Sequence, residues 1–532
     1  MIDSAPPSHP RLGFILRLEL SVLSGILLFA SFPKLDWVAV VWFSGVPLLA
    51  ALITEKRILR GFLYGAVMGV VFLAGSCYWV VSVLEVYGNL DAALSVPGLL
   101  AFVLLFVPLF GCYGALVTAV SRRSASLGLL LSPFLWIALE LGRTYYLTGF
   151  PWNLLGYAVR APGLQQIATV TAVYGLSFIV AVTWAILTGA ILAPRKWVRW
   201  VALSVWAGAL FVANARLYPP KHLPEGPATA ILVQPDVPLK GQKFNAWIPW
   251  ENPKKLDILV SLSTVAAMNS HLASPPWIVW PEDPAPFYFD RDPIFRGAIE
   301  AMAQKAGSYV IAGTVTFRGS GINAPPRNSA VVLNPQGKLL MRYDKMHLVP
   351  FGEYVPWWGF PGSIGKITNQ AGDFIPGRKL KVASTSEGKA GVFICYEAIF
   401  PQQVRRFAHA GAQVLVNISD DAWYGTSSAR YQHLEMARFR AIENRRYLLR
   451  DTNNGITAVI DPYGRIVAQA APFCEVALTA HFAFETRETF YTRYGDVFAW
   501  FATLMAVAIA AFGLAGARRA PVQAPDDSKD TL

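Results

Sequence analysis

The sequence predicts a polytopic α-helical membrane protein of eight spans, with one α/β domain inserted between the seventh span and the eighth. Three observations carry that expectation. Hydrophobic residues fill 54% of the 532 positions and charged residues 15%, with a mean hydropathy of +0.39, which is too apolar for an ordinary soluble enzyme. The apolar residues gather into stretches close to the roughly 20 residues that a bilayer core requires. A long segment of mixed polarity, 218–496, is dense in turn signals and reads as one globular domain.

Taken in order, the candidate spans are Phe14 to Phe32, Trp37 to Thr54, Gly61 to Leu84, Ala92 to Val120, Leu127 to Leu141, Leu164 to Leu192, Trp197 to Ala213 and, beyond the globular segment, Val497 to Leu514. Pro47, Pro97 and Pro108 interrupt some of them. The chain therefore divides into a membrane domain at 1–217, a globular domain at 218–496, and a last span with its tail at 497–532. The spacing of Gly61, Gly65 and Gly69 predicts a close helix–helix contact.

Cations set the expected orientation. Arg11 and Arg17 precede the first span, and Lys56, Arg57 and Arg60 follow the second. Arg122 and Arg123 follow the fourth, Arg195, Lys196 and Arg199 the sixth, and Arg518 and Arg519 the eighth. The alternate connections hold Lys34, Arg143 and Arg160. The positive-inside rule puts both termini in the cytoplasm and the globular domain on the far side, which in a bacterium is the periplasm. Removing the first span as a leader would invert this parity, so it is read as retained.

The net charge of +12 is shared between these topogenic cations and the globular domain. A mildly positive surface beside anionic headgroups accounts for it without a nucleic-acid partner. Of the four cysteines, Cys77 and Cys112 lie in spans, whereas Cys395 and Cys474 lie in the globular domain and are read as free thiols. No C-x-x-C, H-E-x-x-H or histidine cluster points to a metal.

Within the globular domain, β-branched and aromatic runs predict strands at Thr229 to Val233, Trp277 to Trp280, Tyr309 to Thr316, Ser329 to Leu333, Lys338 to Arg342, Ala390 to Ile394 and Val414 to Ile418. Helical spacing covers Pro293 to Ala306, Gln402 to Ala410 and Ala429 to Asn444. Asn334-Pro335-Gln336-Gly337 and Asp461-Pro462-Tyr463-Gly464 read as hairpin turns. The pattern is that of an α+β or layered α/β domain.

Glu282, Lys345 and Cys395 each stand just past the end of a predicted buried strand, where rigid strands can bring side chains into one crevice. Their chemistry is complementary. A thiol is mostly protonated at neutral pH, so a carboxylate that takes its proton activates it, while an ammonium stabilises the thiolate and a tetrahedral oxyanion together with the backbone N–H of Tyr396. Singly, each has a plainer reading: a small buried hydrophobe, a surface cation beside Asp344, a turn residue.

The strings W-P-E at 280–282, Y-D-K-M-H-L-V-P-F-G-E-Y-V-P at 343–356 and C-Y-E at 395–397 resemble the Glu-Lys-Cys signature of the nitrilase (carbon-nitrogen hydrolase) superfamily. With spans on both sides, the chain is similar to that superfamily's membrane-bound branch, the apolipoprotein N-acyltransferases. The likeness extends through N-I-S-D-D-A-W-Y-G at 417–425, Q-H-L-E-M-A-R-F-R-A-I-E at 432–443, T-N-N-G-I-T-A at 452–458 and T-G-F-P-W at 148–152.

The resemblance implies a nitrilase-like αββα sandwich and a two-step exchange. An acyl chain from a phospholipid, usually the sn-1 chain of phosphatidylethanolamine, passes to the cysteine as a thioester. It then passes to the α-amino group of a diacylglyceryl-cysteine at a lipoprotein N-terminus. By motif, Cys395 is the nucleophile, Glu282 the general base and Lys345 the oxyanion-stabilising cation. Glu353 matches an additional active-site glutamate, and Tyr396, Glu397 and Trp423 match positions needed for activity. No cofactor is implied, and a monomer in the inner membrane is expected.

Drawing a palmitoyl-length chain into water costs on the order of 10 kcal/mol at about 0.8 kcal/mol per methylene, so the crevice must open into lipid. Phe351, Tyr354, Trp357, Trp358 and Phe360 could form a lid there, or a packed hydrophobic loop. His347 and His433 read as structural. The chain departs from the family pattern after W-P-E, at Asp420 where Asn is usual, at Arg445-Arg446-Tyr447, and at Phe244 in the approximate place of a Trp. Two rival functions use the same residues: a membrane-tethered amidase whose thioester water resolves, and a silent scaffold.

Overall fold

The computed structural model describes residues 13–193, 196–237, 253–269, 275–282, 288–319, 321, 324–356 and 374–515. The membrane half contains α1 (Phe14–Ala30), α2 (Val46–Ile53), α3 (Ile58–Ser76), α4 (Trp79–Val86), α5 (Ala92–Ser121), α6 (Ala125–Tyr145), α7 (Pro162–Gln165), α8 (Ala168–Thr171), α9 (Val173–Leu192) and α10 (Lys196–Arg216). Four longer helices of the globular half follow, α11 (Pro253–Asn269), α12 (Pro293–Ala306), α13 (Pro401–His409) and α14 (Ala429–Asn444), then the short α15 (Phe490–Tyr494) and the apolar α16 (Val497–Ala515).

Among the described residues, six helices are long and apolar enough to cross a bilayer: α3, α5, α6, α9, α16 and, within α10, Trp197–Arg216. The other expected spans are shorter or broken, each for a visible reason. The 17-residue α1 carries Arg17 on its buried face, where the guanidinium pairs with Glu55 at 3.2 Å and donates to the Thr54 carbonyl at 2.8 Å. The second expected span is split into a 3-10 turn at Val38–Trp42 and the eight-residue α2, because the Trp184 indole packs against Gly45 and donates to the Val41 carbonyl at 2.8 Å. The third stops at Ser76, whose carbonyl accepts from Gln432 of the globular half, and α4 resumes the chain.

Pro97 and Pro108 do not break α5, which runs through both. Gly65 and Gly114 let α3 and α5 meet backbone to backbone, since a Cβ on Gly65 would lie 2.2 Å from the Phe110 carbonyl oxygen and one on Gly114 would lie 2.1 Å from that of Gly61. Between α6 and α9 the chain is irregular. Its polar groups are satisfied from inside: Arg143 donates to the carbonyls of Phe150 at 3.4 Å and Trp152 at 2.5 Å, and Glu140 accepts from the Leu155 N–H at 2.7 Å. This is why the sixth expected span starts at Val173 rather than Leu164.

The globular half holds two six-stranded sheets. The first is built from β1 (Ala228–Gln234), β2 (Trp277–Val279), β3 (Tyr309–Phe317), β4 (Pro326–Leu333) and β5 (Leu339–Asp344). The second is built from β6 (Ala383–Ser384), β7 (Lys389–Ile394), β8 (Val414–Ser419), β9 (Tyr447–Thr452), β10 (Ala458–Ile460) and β11 (Ile466–Gln469). The chain then returns through β12 (Val476–Phe482) to the first sheet, giving the orders β12-β1-β2-β3-β4-β5 and β11-β10-β9-β8-β7-β6. In each sheet three consecutive strands are parallel, β1-β2-β3 and β7-β8-β9.

Period-two alternation decides the layers. Ile231, Val233, Ile278, Val310 and Val331 pack with α11 and α12, whereas Ala230, Leu232, Val279, Ile311 and Val332 join the core shared with the second sheet. α13 and α14 pack on the second sheet, Phe407 of α13 over Gly391 and against Phe393, so the layers run helix, sheet, sheet, helix. Both expected hairpin turns form, with Asn334 accepting from the N–H groups of Gln336 and Lys338 and Asp461 from those of Tyr463 and Arg465.

Candidate active site

The ends of β2, β5 and β7 converge. Glu282, three residues past β2, is 6% exposed; Lys345, directly after β5, is 1% exposed; Cys395, directly after β7, is 6% exposed. Lys345 Nζ donates to Glu282 Oε1 at 3.0 Å and to Glu353 Oε1 at 3.1 Å. Glu282 Oε2 accepts from the Asp420 N–H at 3.0 Å, and Glu353 Oε2 from the Val349 N–H at 2.7 Å. A buried ammonium is thus held between two carboxylates, the charge pairing that its desolvation demands.

One member of this group was not foreseen from the sequence. Asn328 of β4 donates from Nδ2 to Glu282 at 2.7 Å and to Glu353 at 2.8 Å, and its carbonyl accepts from the Lys345 N–H at 2.8 Å. Its only sequence signal is an amide in the polar R-N-S run that precedes the apolar end of β4 at 330–333.

Cys395 sits in the left-handed region at φ +48°, a conformation that costs a non-glycine residue about 1–3 kcal/mol. Burial pushes its thiol well above the ordinary value and Glu282 adds to this, while Lys345 and then Ser419 oppose it. The resting group is a neutral thiol. Burial alone would lower the Lys345 ammonium, yet Glu282, Glu353 and Cys395 outweigh it and hold the group above its ordinary value, so it stays charged. Cys395 and Cys474 are both unpaired.

The supporting residues divide into two kinds. Glu397 is fully buried and acts as a clamp: Oε1 accepts from Tyr343 Oη (2.8 Å), the N–H groups of Met346 (2.8 Å) and His347 (3.1 Å) and Gln403 Nε2 (2.6 Å), while Oε2 accepts from the Ile394 N–H (2.8 Å). It therefore ties the chain leaving β5 to the chain leaving β7. Tyr396 and Trp423 instead reach the membrane half. Tyr396 Oη donates to the Gly149 carbonyl at 3.1 Å, and the Trp423 ring lies 4.4 Å from that of Tyr87, whose hydroxyl donates to the Ala422 carbonyl. Phe244, Trp357, Trp358 and Phe360 lie outside the described residues.

Asp420 caps the turn at Asp421–Tyr424, accepting from the Ala422 N–H at 2.9 Å and from Asn453 Nδ2 at 3.2 Å, so both of these partners suit a carboxylate as well as an amide. His347 stacks on Phe400 at 3.8 Å, and burial pulls its ring down to about 4, so it is neutral near pH 7. The T-G-F-P-W segment lies beneath the site: Thr148 bonds His347 and Tyr354, and Trp152 Nε1 donates to Gln432 Oε1 at 2.7 Å.

An apolipoprotein N-acyltransferase from Geobacter metallireducens is 38% identical over 504 residues, covering 92% of this chain and 94% of that one. The chain belongs to the apolipoprotein N-acyltransferase family. One from Brucella melitensis biotype 1 is 32% identical, with 83% of each chain covered. The apolipoprotein N-acyltransferase N-terminal domain family model matches residues 24–186, and the carbon-nitrogen hydrolase model matches 246–490. Among solved structures, an amidase from Nesterenkonia sp. aligns at 17% identity with a TM-score of 0.38, covering 52% of this chain and 95% of that one. In apolipoprotein N-acyltransferase terms, the second matched segment contains Glu282, Lys345, Glu353 and Cys395.

Proposed function

We propose that this protein is an N-acyltransferase that moves an acyl chain from a phospholipid, through a thioester on Cys395, to the α-amino group of a diacylglyceryl-cysteine at a lipoprotein N-terminus. The observation that carries the reading is the hydrogen-bonded Glu282–Lys345–Glu353–Asn328 group, with Glu282 and Lys345 buried, beside a neutral buried thiol. Phosphatidylethanolamine is the proposed donor.

In the first step Cys395 Sγ attacks the sn-1 ester carbonyl while Glu282 takes the thiol proton. Lys345 and the Tyr396 N–H stabilise the oxyanion. Collapse breaks the ester bond, Glu282 returns the proton to the departing alkoxide, and a lysophospholipid leaves. In the second step the amine attacks the thioester, Glu282 accepts an amine proton, and the amide forms as sulfur departs and is reprotonated. Buried charges arranged in advance suit both steps, because neither requires water to reorganise.

The proposed setting is a monomer in the bacterial inner membrane with domains at 1–217, 218–496 and 497–532. Eight spans, counting α1 and the Val38–Ile53 segment with the six longer helices, leave both termini cytoplasmic and the catalytic domain periplasmic. Contacts of Tyr396, Trp423 and Gln432 with the membrane half support a site that opens toward lipid.

The test is product analysis. Protein in phosphatidylethanolamine micelles, given a diacylglyceryl lipopeptide, should release lysophospholipid and N-acylated lipopeptide in equal amounts. Lysophospholipid with free fatty acid and no acylated peptide would establish a hydrolase instead.

A further inference from the structure

Behind Cys395 lies a buried polar group to which the proposed chemistry assigns no part. His433 Nε2 stands 3.2 Å from the Cys395 carbonyl oxygen. On the other side of the ring, Nδ1 is 3.0 Å from Asp421 Oδ1 and 3.1 Å from Arg450 Nη2. Asp421 Oδ1 accepts from Ser419 Oγ at 2.9 Å and Oδ2 from Arg450 Nη2 at 2.7 Å, and Arg450 also bonds Asn417. His433, Asp421, Arg450, Asn417 and Ser419 are all fully buried.

The carbonyl of Cys395 can only accept, so Nε2 carries hydrogen. A proton on Nδ1 alone would set two lone pairs against each other. With Nε2 protonated, Nδ1 accepts from Arg450 in the neutral ring or donates to Asp421 Oδ1 in the charged one, and the Nε2–H···O=C bond is the same in both states. Burial first, and then the Arg450 cation, disfavour the charged ring and outweigh Asp421, which favours it, so the ring lies below its ordinary value. The ring cannot turn away: it stacks on Trp152 at 5.9 Å and 26°, and Tyr424 meets it edge-on at 5.9 Å and 84°.

We propose that His433, fixed by Asp421 and Arg450, is a positioning residue that holds the backbone of Cys395 in its left-handed conformation through the Nε2–H···O=C bond. This bond keeps the sulfur facing Glu282 and Lys345. The reason is energetic and geometric. A non-glycine residue at φ +48° persists only where surrounding bonds over-determine it. Cys395 is held from the far side by Glu397, which bonds the preceding N–H of Ile394, and by His433 at its own carbonyl. The preceding residue of α14, Gln432, binds Trp152 and the carbonyls of Pro33 and Ser76, so the same helix that fixes the nucleophile is fastened to the membrane half.

The proposal rests on the thioester reading, and the experiment separates the two. Full-length protein in micelles receives phosphatidylethanolamine over a range of concentrations, and samples quenched at intervals are read by intact mass for the acyl adduct. The variants are H433F, which keeps a ring without a donor; H433Q, whose amide nitrogen reaches the place of Nε2; and H433N, whose amide stops short. H433F and H433N should form the adduct about ten- to a hundredfold more slowly at saturating donor, the scale of a misplacement near 1 Å, with the half-saturating concentration unchanged. H433Q should recover to within about fivefold of the unaltered chain.

A rate for H433F equal to the unaltered chain overturns the proposal, as does a loss confined to the half-saturating concentration. Should H433F fail to fold, H433Q against H433N decides, and equal rates for that pair overturn it. If the unaltered chain gains no adduct, the functional reading falls and this proposal with it. Failure confined to the variants removes the proposal alone.

Discussion

Replacing Asn328 by Leu tests whether the site works as one hydrogen-bonded unit. The substitution nearly conserves volume but removes the two bonds that Nδ2 gives to Glu282 and Glu353, at 2.7 Å and 2.8 Å. Bonds to a charged acceptor contribute about 1.5–3 kcal/mol each. Lys345 still bonds both carboxylates, at 3.0 Å and 3.1 Å, and holds them near their places. Half of the combined loss reaching the transition state gives about 1.5–3 kcal/mol, or roughly 10- to 150-fold at 1.36 kcal/mol per decade. The assay is quenched thioester formation from phosphatidylethanolamine, with a thermal melt of the same sample to show that the fold persists. A rate within about threefold of the unaltered chain, in a protein that melts normally, would refute the idea that Asn328 braces the base.

Other substitutions probe other links. Cys395→Ala should leave the melt intact and abolish the adduct, and mass analysis that still finds acylated protein would name another nucleophile. Glu397→Ala orphans the buried N–H groups of Met346, His347 and Ile394, and should lower stability by about 3 kcal/mol or more in chemical unfolding. Gly65→Val drives a Cβ to 2.2 Å from the Phe110 carbonyl oxygen and should cost about 1–3 kcal/mol, read as a lower melting temperature in micelles.

A pH series on Glu443→Gln isolates one buried carboxyl. Glu443 of α14 accepts from the Val173 N–H and Arg440, yet burial prevails and raises it from 4.5 to about 7. A folded value above the unfolded one means that its contribution is complete below about pH 4.5 and lost as pH rises through about 7. The loss is about 3 kcal/mol at 1.36 kcal/mol per unit. The variant's melting temperature should therefore fall less than that of the unaltered chain between pH 5 and pH 8. Parallel curves would contradict this.

What could be read from the sequence follows a physical division. β1 to β5, β7 and β8 were foreseen within a few residues, whereas the short or half-exposed β6, β10, β11 and β12 were not, and α12 and α14 match their expected ends because Gly307 and Arg445 stop them in left-handed conformations. β9 escaped because Arg450 and Asp451, charged by type, are fully buried in it and masked its pattern. Span ends were misplaced where side chains from elsewhere satisfy an interrupted backbone, as Trp184 does at Val41 and Gln432 does at Ser76. Glu282, Lys345 and Cys395 were legible because each follows a strand end. Asn328 and His433 were not singled out for the site, since an amide in a strand and a histidine on a helix acquire meaning only from what the fold sets beside them.

The measurement that bears most directly on the account is peptide mapping of the acyl adduct followed by a chase. Protein incubated with isotopically labelled phosphatidylethanolamine should carry one acyl group, on the peptide containing Cys395, removable by neutral hydroxylamine as a thioester must be. Addition of a diacylglyceryl lipopeptide should empty that site and move the label quantitatively to the peptide's amino terminus. Label on any other residue, or a Cys395 adduct that decays in buffer as fast as it does with the lipopeptide present, would contradict acyl transfer through this cysteine.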